Sequence, residues 1–411
     1  MTFAPQAAAD RPERGPGDHP YNDDLLIEEP SCQRARLEFP DLYHVLCHDS
    51  LRQAFQEADG RANRDKRASQ FWGVWAVVMA LLSLFGGSTA AIWGNPDHPW
   101  PDPWPTVIPT VSSLLGLTAL LLAFFGVLHG KRKKEWLAAR LQTERMRQLH
   151  FQQFVWDLPA ILESMDNADK KKAFAEEREL RFGHILRELR EKLLGDVANV
   201  TDPAVLPMIW IGKHGDEPEW PGAKHQPHQL ARVFEAYQVF RFDEQLQYAA
   251  YALRDVNRPG RQDQPSRFVR WPWYPGINQP FKVKRQALRF VSALSVTSLV
   301  LLDALILARH LYSHVATPPY SHVATPLWVH IGVVWAALVA VAINTLSNGL
   351  ALTREIERYQ EYFAVVSDLS RRFKSASSAH NKWLLMVEME KAIFLEMREF
   401  LRSNEQAVFV M

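Results

Sequence analysis

Two apolar segments that lie close together in the chain constrain its fold more than any other feature. Residues 71–93 and 107–129 contain no Asp, Glu, Lys or Arg, and a short proline-rich link joins them. As helices, with a rise of ~1.5 Å per residue, each would be roughly 35 Å long, which is enough to cross the ~30 Å hydrocarbon core of a bilayer. We therefore predict a transmembrane helical hairpin.

Basic residues lie on both sides of this hairpin and are absent from its link. Arg61, Arg64, Lys66 and Arg67 precede it, and residues 131–134 are all basic, whereas the link contains no Lys or Arg. Because cytoplasmic loops carry the excess of Lys and Arg, both ends of the hairpin are expected in the cytoplasm.

A second pair of apolar segments, residues 287–311 and 327–352, repeats this arrangement. The link between them holds two copies of the heptapeptide YSHVATP and again no Lys or Arg. Residues 31–69, before the first hairpin, are predicted to be helical, with Leu42, Leu46, Leu51, Phe55 and Ala58 on one side. Between the hairpins the chain is rich in charge and shows apolar residues at helical spacing, and Pro159 is expected to begin a new helix there. A further break between helices is expected near residues 375–378. The predicted fold is an all-α integral membrane protein with two transmembrane helical hairpins, four spans in all, and long cytoplasmic amphipathic helices.

The chain divides into five parts. Residues 1–30, polar and proline-containing, are predicted to be a disordered cytoplasmic tail. Residues 31–194 and 229–403 share one plan, in which a helix precedes a hairpin and long helices follow it, and this order indicates duplication. Residues 195–228, with several prolines and glycines, form a predicted linker, and 404–411 a C-terminal tail.

Within the first unit, one face of the helix after the hairpin carries aromatic, basic and acidic side chains in turn, which we call the ladder. The ladder comprises Trp136, Arg140, Glu144, Arg147 and Phe151. With the short pre-helix 55–59 and the hairpin, it resembles the SLATT superfamily, the SMODS- and SLOG-associating two-transmembrane effector domains. The second unit, which has no Trp at the position matching Trp136, fits that pattern more loosely.

This resemblance implies a function that composition does not show. It implies a membrane effector of bacterial anti-phage defence, located in the inner membrane as a homo-oligomer. Such an effector permeabilises the membrane when a separate partner enzyme makes a nucleotide or oligonucleotide signal. Without the resemblance, Arg140 and Glu144 at i, i+4 have two other interpretations. They could form an ion pair that stabilises an exposed helix by only ~0.3–0.5 kcal/mol, or they could contact another subunit.

Residues 258–289 combine basic and aromatic side chains. The candidate ligand-binding residues are Arg267, Arg270, Trp271, Trp273, Lys282, Lys284 and Arg285. Positive charges beside stacking rings suit a phosphate-bearing ligand such as a nucleotide, and they equally suit anionic lipid headgroups at the bilayer surface.

Polar residues inside the second hairpin suggest a conduction path. Asp303 is the only carboxylate in the four segments, and Ser295 lies on a similar side of the same helix. Asn344 and Asn348 continue a stripe of small residues that recurs every fourth position from Gly332. These four polar residues are candidates for lining a pore. The alternative is that Asp303 makes a neutral hydrogen bond within the bundle and the stripe packs.

The chain carries no recognisable catalytic, phosphate-loop or paired-cysteine metal motif, so neither enzymatic activity nor a cofactor is expected. His214, Asp216, Glu217 and His225 could be imagined as metal ligands, but their spacing matches no standard site. Two other functions remain open besides that of a pore-forming protein. One is a non-conducting membrane scaffold or receptor that recruits cytoplasmic partners, and the other is a solute transporter.

Overall fold

The structure is a computed structural model, and it describes residues 23–93, 104–124, 131–195, 209–211, 218–220, 227–253, 281–315 and 327–406. These residues form helices and short connections, and no β-strand occurs among them. The α-helices are α1 (Glu29–Glu38), α2 (Tyr43–Leu46), α3 (Asp49–Trp93), α4 (Trp104–Leu122), α5 (Lys131–Trp156), α6 (Leu158–Asp166), α7 (Ala168–Gly195), α8 (Pro227–Tyr237), α9 (Glu244–Ala252), α10 (Phe281–Val315), α11 (Leu327–Gly349), α12 (Leu352–Ser375) and α13 (Ala379–Gln406). A π-helix, Gln238–Asp243, joins α8 to α9.

Three helical stretches are long and apolar enough to cross a membrane, and they lie within α3, α10 and α11. The apolar part of α4, Thr106–Leu122, is shorter, and residues 125–130 of the predicted second span lie outside the described residues. The helix α3 continues from the predicted pre-helix into the first span without a break, over 45 residues or about 68 Å.

The predicted fourth span extends three residues too far. The helix α11 ends at Gly349, and Ala351 adopts a left-handed backbone conformation with φ 51° before α12 begins. An L-residue in this conformation stops the right-handed helix, so α11 and α12 are separate elements joined at a sharp bend.

The four apolar helices pack in a row in the order α4, α3, α11, α10. Between α3 and α4 the backbones approach so closely that a Cβ added to Gly86 would overlap the Ser112 hydroxyl. Val77 of α3 packs on Ala342 and Leu346 of α11. At the third contact, a Cβ on Gly332 would lie 2.9 Å from Cδ1 of Leu302 on α10. Small residues therefore bring the helices together, as membrane packing favours.

The remaining helices form what we call the helical body: α1, α2, residues 49–70 of α3, α5 to α9, α12 and α13. The apolar residues predicted to share a buried side before the first hairpin, Leu42, Leu46, Leu51, Phe55 and Ala58, are all buried. They do not share one helix as predicted, because the chain breaks between α1, α2 and α3. As predicted, Pro159 lies in the first turn of a new helix, α6, and the chain breaks again between Ser375 and Ala379.

Two segments predicted to be unstructured contribute to the core of the helical body. Within the predicted tail 1–30, residues 23–25 form a 3-10 turn, and Leu25 and Leu26 are buried, so the prediction of disorder is wrong from residue 23 onward. Within the predicted linker, Trp210 is buried against Trp156, with ring centroids 5.9 Å apart. In both segments a few apolar side chains lie in the core, which the average composition of the segment did not indicate.

Both halves share one packing feature. The helix that follows each hairpin returns to the helix that precedes it. In the first half, Arg140 on α5 lies 3.4 Å from Asp59 on α3. In the second half, the hydroxyls of Tyr359 on α12 and Tyr248 on α9 are 2.7 Å apart. The duplication itself stays a prediction.

Candidate functional site

A fully buried ion pair lies at the centre of the helical body. Arg241 of the π-helix donates two hydrogen bonds of 2.8 Å to the two carboxylate oxygens of Glu390 on α13. Both side chains are 0% exposed. The Tyr237 hydroxyl donates a further hydrogen bond of 2.7 Å to Glu390, and the guanidinium lies 4.2 Å from the ring centroid of Phe151.

The π-helix makes this placement possible. Phe240, Arg241 and Phe242 are consecutive, and all three are buried at 0%. In a regular α-helix, successive residues turn by about 100°, so three in a row rarely face one core. The wider π-turn allows this placement, and π-bulges occur frequently at functional sites.

The ion pair continues into a chain of alternating charges. Asp24, from the N-terminal 3-10 turn, lies 3.9 Å from Arg241 and 2.8 Å from Nε of Arg147. Arg147 in turn donates to Glu144 at 2.8 and 2.9 Å. Glu144 is 2.5 Å from Arg140, which approaches Asp59 on α3. We call these seven residues, from Glu390 to Asp59, the buried charge network.

The predicted ladder on α5 lies inside the helical body and not on an exposed helix surface. The shared face of Arg140, Glu144 and Arg147 is confirmed, but the side chains of Glu144 and Arg147 are only 12% and 6% exposed. Arg147 pairs with Asp24 and Arg140 with Asp59, both acidic residues of the same chain. Trp136 is also buried, against Phe400 of α13. An exposed stabilising stripe is excluded by this burial.

One carboxylate and one phenol group of this region have strongly shifted pKa values. Burial alone would raise the pKa of Glu144, but Arg140 and Arg147 outweigh burial and lower that pKa to about 2. Burial and the neighbouring Glu390 raise the pKa of Tyr237 well above its usual value, so this hydroxyl remains a donor. Glu144 is therefore charged and Tyr237 neutral at pH 7, and Tyr237 holds its partner Glu390 on a neighbouring helix.

A second buried ion pair lies directly after the bend that ends α11. On α12, Arg358 donates at 2.6 Å to Glu355, whose other oxygen accepts 2.9 Å from Asn404 of α13. Arg358 also contacts Glu396 of α13. The first turns of α12 are therefore tied to α13, the same helix that carries Glu390.

Buried histidines line a small cavity of about 30 Å³ between α3, α5 and α7. His48 lies 3.1 Å from the exposed Glu179, and His150 is 2% exposed. Burial and the positive charge of Arg178 lower the pKa of His48 to about 3. Burial lowers the pKa of His150 well below its usual value. Both rings are therefore neutral at pH 7.

The predicted pore residues are placed differently from one another. Ser295 is buried and donates to the carbonyl of Val291, whereas Asp303, Asn344 and Asn348 are all exposed on the surface of the single chain. Gly332 packs against Leu302, which places Asp303 one residue from that level. Asn344 is twelve residues further along α11, about 18 Å deeper toward the helical body. One chain therefore does not enclose a pore with these residues.

The predicted ligand-binding residues fall largely beyond the described chain. Arg267, Arg270, Trp271 and Trp273 lie outside it, as do all four of the imagined metal ligands, at positions 214, 216, 217 and 225. Lys282 and Lys284 belong to the first turn of α10, and Arg285 is half-buried. Across the residues that the structure does describe, no cluster of three or more His, Cys, Asp or Glu could hold a metal ion.

Sequence reasoning missed Asp24, Arg241 and Glu390. One signal was available for Glu390, because it follows Met386 by four positions and precedes Ile393 by three, on the buried stripe of α13. Comparisons of the chain with protein-family models, curated proteins and solved structures returned no match.

Proposed function

We propose that this protein is a membrane effector of a bacterial anti-phage defence system that forms an oligomeric, ion-conducting pore. It lies in the inner membrane with both termini in the cytoplasm. A nucleotide or oligonucleotide, made by a separate partner enzyme, gates the pore from the cytoplasmic side. The observation that supports the conducting role is the exposure of Asp303, Asn344 and Asn348 on the apolar stretches of α10 and α11 in the single chain.

Exposure of these groups to lipid would be unfavourable. On insertion scales an Asp at the centre of a membrane helix costs about 2.5–3.5 kcal/mol, and such residues usually face a partner or a water-filled cavity. Assembly of several copies around water removes this cost for all three residues. A ring of Asp303 carboxylates would then favour cations over anions.

The helical body provides a route from a cytoplasmic signal to the pore. The helix α13 binds the π-helix through Glu390 and the first turns of α12 through Glu396. A movement of α13 therefore reaches the bend at Ala351, and through it α11, which carries Asn344. The identity of the signal and the role in defence rest on the resemblance of residues 136–151 and the hairpin to SLATT domains.

Ion flux through liposomes that contain the purified protein tests the conducting role. Asp303→Asn should lower the preference for cations, and Asp303→Lys should shift it toward anions, as measured by the reversal potential under a salt gradient. Leu301→Asn is the matched control, because Leu301 is 65% exposed and lies about 160° around α10 from Asp303. One reversal potential common to all four proteins would place Asp303 outside the pore.

Cysteine labelling in intact cells tests the topology. In a background without the two native cysteines, Cys32 and Cys47, cysteines introduced at Asp102 and Thr317 should react with an impermeant reagent from outside. A cysteine at Ser378 should react only after permeabilisation. Labelling at Ser378 alone in intact cells would exclude the proposed orientation.

Charge reversal in the basic segment tests the signal. Changing Arg267, Arg270 and Lys284 to Glu should abolish any flux that a panel of linear and cyclic nucleotides evokes from liposomes, while membrane insertion persists. An unchanged response would leave only the lipid-anchoring role for this segment.

A scaffold or receptor is the second candidate function, in which the helical body recruits a soluble protein. Leu37 and Leu180, 83% and 77% exposed, are positions at which such docking can be tested. Liposomes that stay ion-tight under every nucleotide tested, with capture of a defined cellular protein that Leu37→Glu abolishes, would select this function over conduction.

A further inference from the structure

The row of four apolar helices leaves its two terminal helices, α4 and α10, with large outward apolar faces. On α4 the most exposed apolar residues are Leu114, Leu117 and Leu120, at 56–68%. On α10, Val300 and Leu307 are 60% and 58% exposed. Each outward face also carries an exposed polar residue, Thr110 on α4 and Asp303 on α10.

The packing contacts give the relative depth of these two polar residues. Leu302 lies at the level of Gly332, so Asp303 lies near position 331 of α11. The tilted ring contact of Trp335 with Phe85, with ring centroids 5.2 Å apart, aligns position 331 with about position 89 of α3.

The contact of Gly86 with Ser112 then aligns position 89 with positions 109–110 of α4. Because neighbouring helices in the row are antiparallel, each step along one helix is matched by an opposite step along the next. Asp303 and Thr110 therefore lie at the same depth, on opposite ends of the row.

We propose that copies of this chain assemble head to tail through the membrane, with the outer face of α10 in one copy packed against the outer face of α4 in the next. In this arrangement Asp303 faces the Thr110 hydroxyl of the neighbouring copy. The inference rests on the proposed function in one respect, the insertion of both hairpins into the membrane as a homo-oligomer.

Polar complementarity selects this pairing over the contact of α10 with a second α10. Within one chain the Thr110 hydroxyl donates to the Thr106 carbonyl at 2.7 Å and retains its acceptor capacity. A hydroxyl can accept from a neutral carboxylic acid or rotate to donate to a carboxylate, so it suits Asp303 in either state. A two-fold pairing of α10 would instead place two Asp303 side chains at one depth, where like charges repel.

Symmetry makes the two arrangements experimentally distinct. A head-to-tail contact uses two different surfaces and continues from copy to copy until a ring closes, whereas a two-fold contact uses one surface twice and stops at a dimer. Residues at such a ring's subunit boundaries also border its centre, which is compatible with Asp303 at the edge of a pore.

Disulfide cross-linking of the full chain in native membranes tests the proposal. In a background without Cys32 and Cys47, Val300→Cys and Leu114→Cys in one chain lie within about 2 Å of the same depth by the alignment above. Mild oxidation should give a ladder of covalent oligomers on a denaturing gel. Leu307→Cys with Leu121→Cys is the control, because these positions differ in depth by roughly 23 Å and should give no ladder.

The outcomes separate the interface from the pore. Dimers formed by Val300→Cys alone, equal ladders from the matched and mismatched pairs, or no product from the matched pair would each overturn the head-to-tail arrangement. Thr110→Val should lower the ladder yield several-fold, whereas Thr118→Val, at another exposed hydroxyl of α4, should not. A ladder in membranes whose liposomes conduct no ions would refute the proposed conduction and leave the interface standing.

Discussion

Removal of one partner from the central ion pair should destabilise the helical body strongly. Glu390→Gln preserves the side-chain shape and the contact with Tyr237, but it leaves the Arg241 guanidinium, which is 0% exposed, with only Asp24 at 3.9 Å. Loss of one partner of a buried pair typically costs about 3–5 kcal/mol, because an uncompensated charge stays buried. Arg241→Met leaves the buried Glu390 carboxylate without its arginine partner in the same way, and its loss of stability should fall in the same range.

The double variant Arg241→Met/Glu390→Met distinguishes burial of charge from loss of packing. It removes both charges and fills the site with apolar atoms of similar volume, a replacement that is often neutral in other proteins. Tyr237 and Asp24 then lose one partner each, at about 1–3 kcal/mol per group left unsatisfied. We expect the double variant to unfold with a smaller loss of stability than the sum of the two single variants.

Urea unfolding in a mild detergent, followed by circular dichroism, measures these differences. The matched control is Asp368→Asn, which breaks the pair between Asp368 and Arg371, side chains 45% and 79% exposed. Pairs of that kind contribute about 0–1 kcal/mol. A loss below 1 kcal/mol for Glu390→Gln, or strict additivity of the two single variants, would refute the buried and coupled pair described here.

Three other perturbations follow from the geometry. The folded pKa values of His48 and His150 lie below the unfolded value of about 6.5, so the unfolded chain binds more protons in acid. The free energy of unfolding should therefore fall by about 1.4 kcal/mol per histidine for each pH unit below 6.5. Urea titrations between pH 5 and 6.5 should show this slope, and His48→Asn should reduce it. Gly86→Ala should weaken the contact of α3 with α4 by about 1–3 kcal/mol, whereas Gly87→Ala, where an added Cβ meets nothing within 4 Å, should be neutral or stabilising in the same unfolding assay. Ala351→Gly should raise the free energy of unfolding by up to about 1 kcal/mol because glycine accepts φ 51° without strain, and a clear loss of stability would contradict the bend.

The features that follow from local pattern were predictable from the sequence. Apolar residues at helical spacing identified the buried apolar set from Leu42 to Ala58, and the position of Pro159 identified the start of α6. Uninterrupted apolar runs identified the helices long enough to cross a membrane. Each of these signals lies within one segment of about twenty residues, so no knowledge of tertiary contacts is needed to read it.

The buried charge network was not predictable by the same means. Arg241 and Glu390 are separated by 149 positions, and in the sequence neither differs from the many charged residues that lie on solvent-exposed helix faces. Only the folded core shows which of these charges lose water and pair. Asp24 was hidden further by its polar surroundings, whose composition indicates disorder, although Leu25 and Leu26 beside it fill the core.

The span of the network along the chain has a consequence for biosynthesis. Asp24 leaves the ribosome well before Arg241, and Glu390 follows Arg241 by 149 positions, so the pair cannot form until residue 390 has been made. At about 5–20 residues per second, some 20–70 s separate the synthesis of Asp24 from that of Glu390. All three helices that are long and apolar enough to cross a membrane are synthesised during this interval, while the charges of the network are still hydrated. The core of the helical body therefore closes only after these apolar helices have been made.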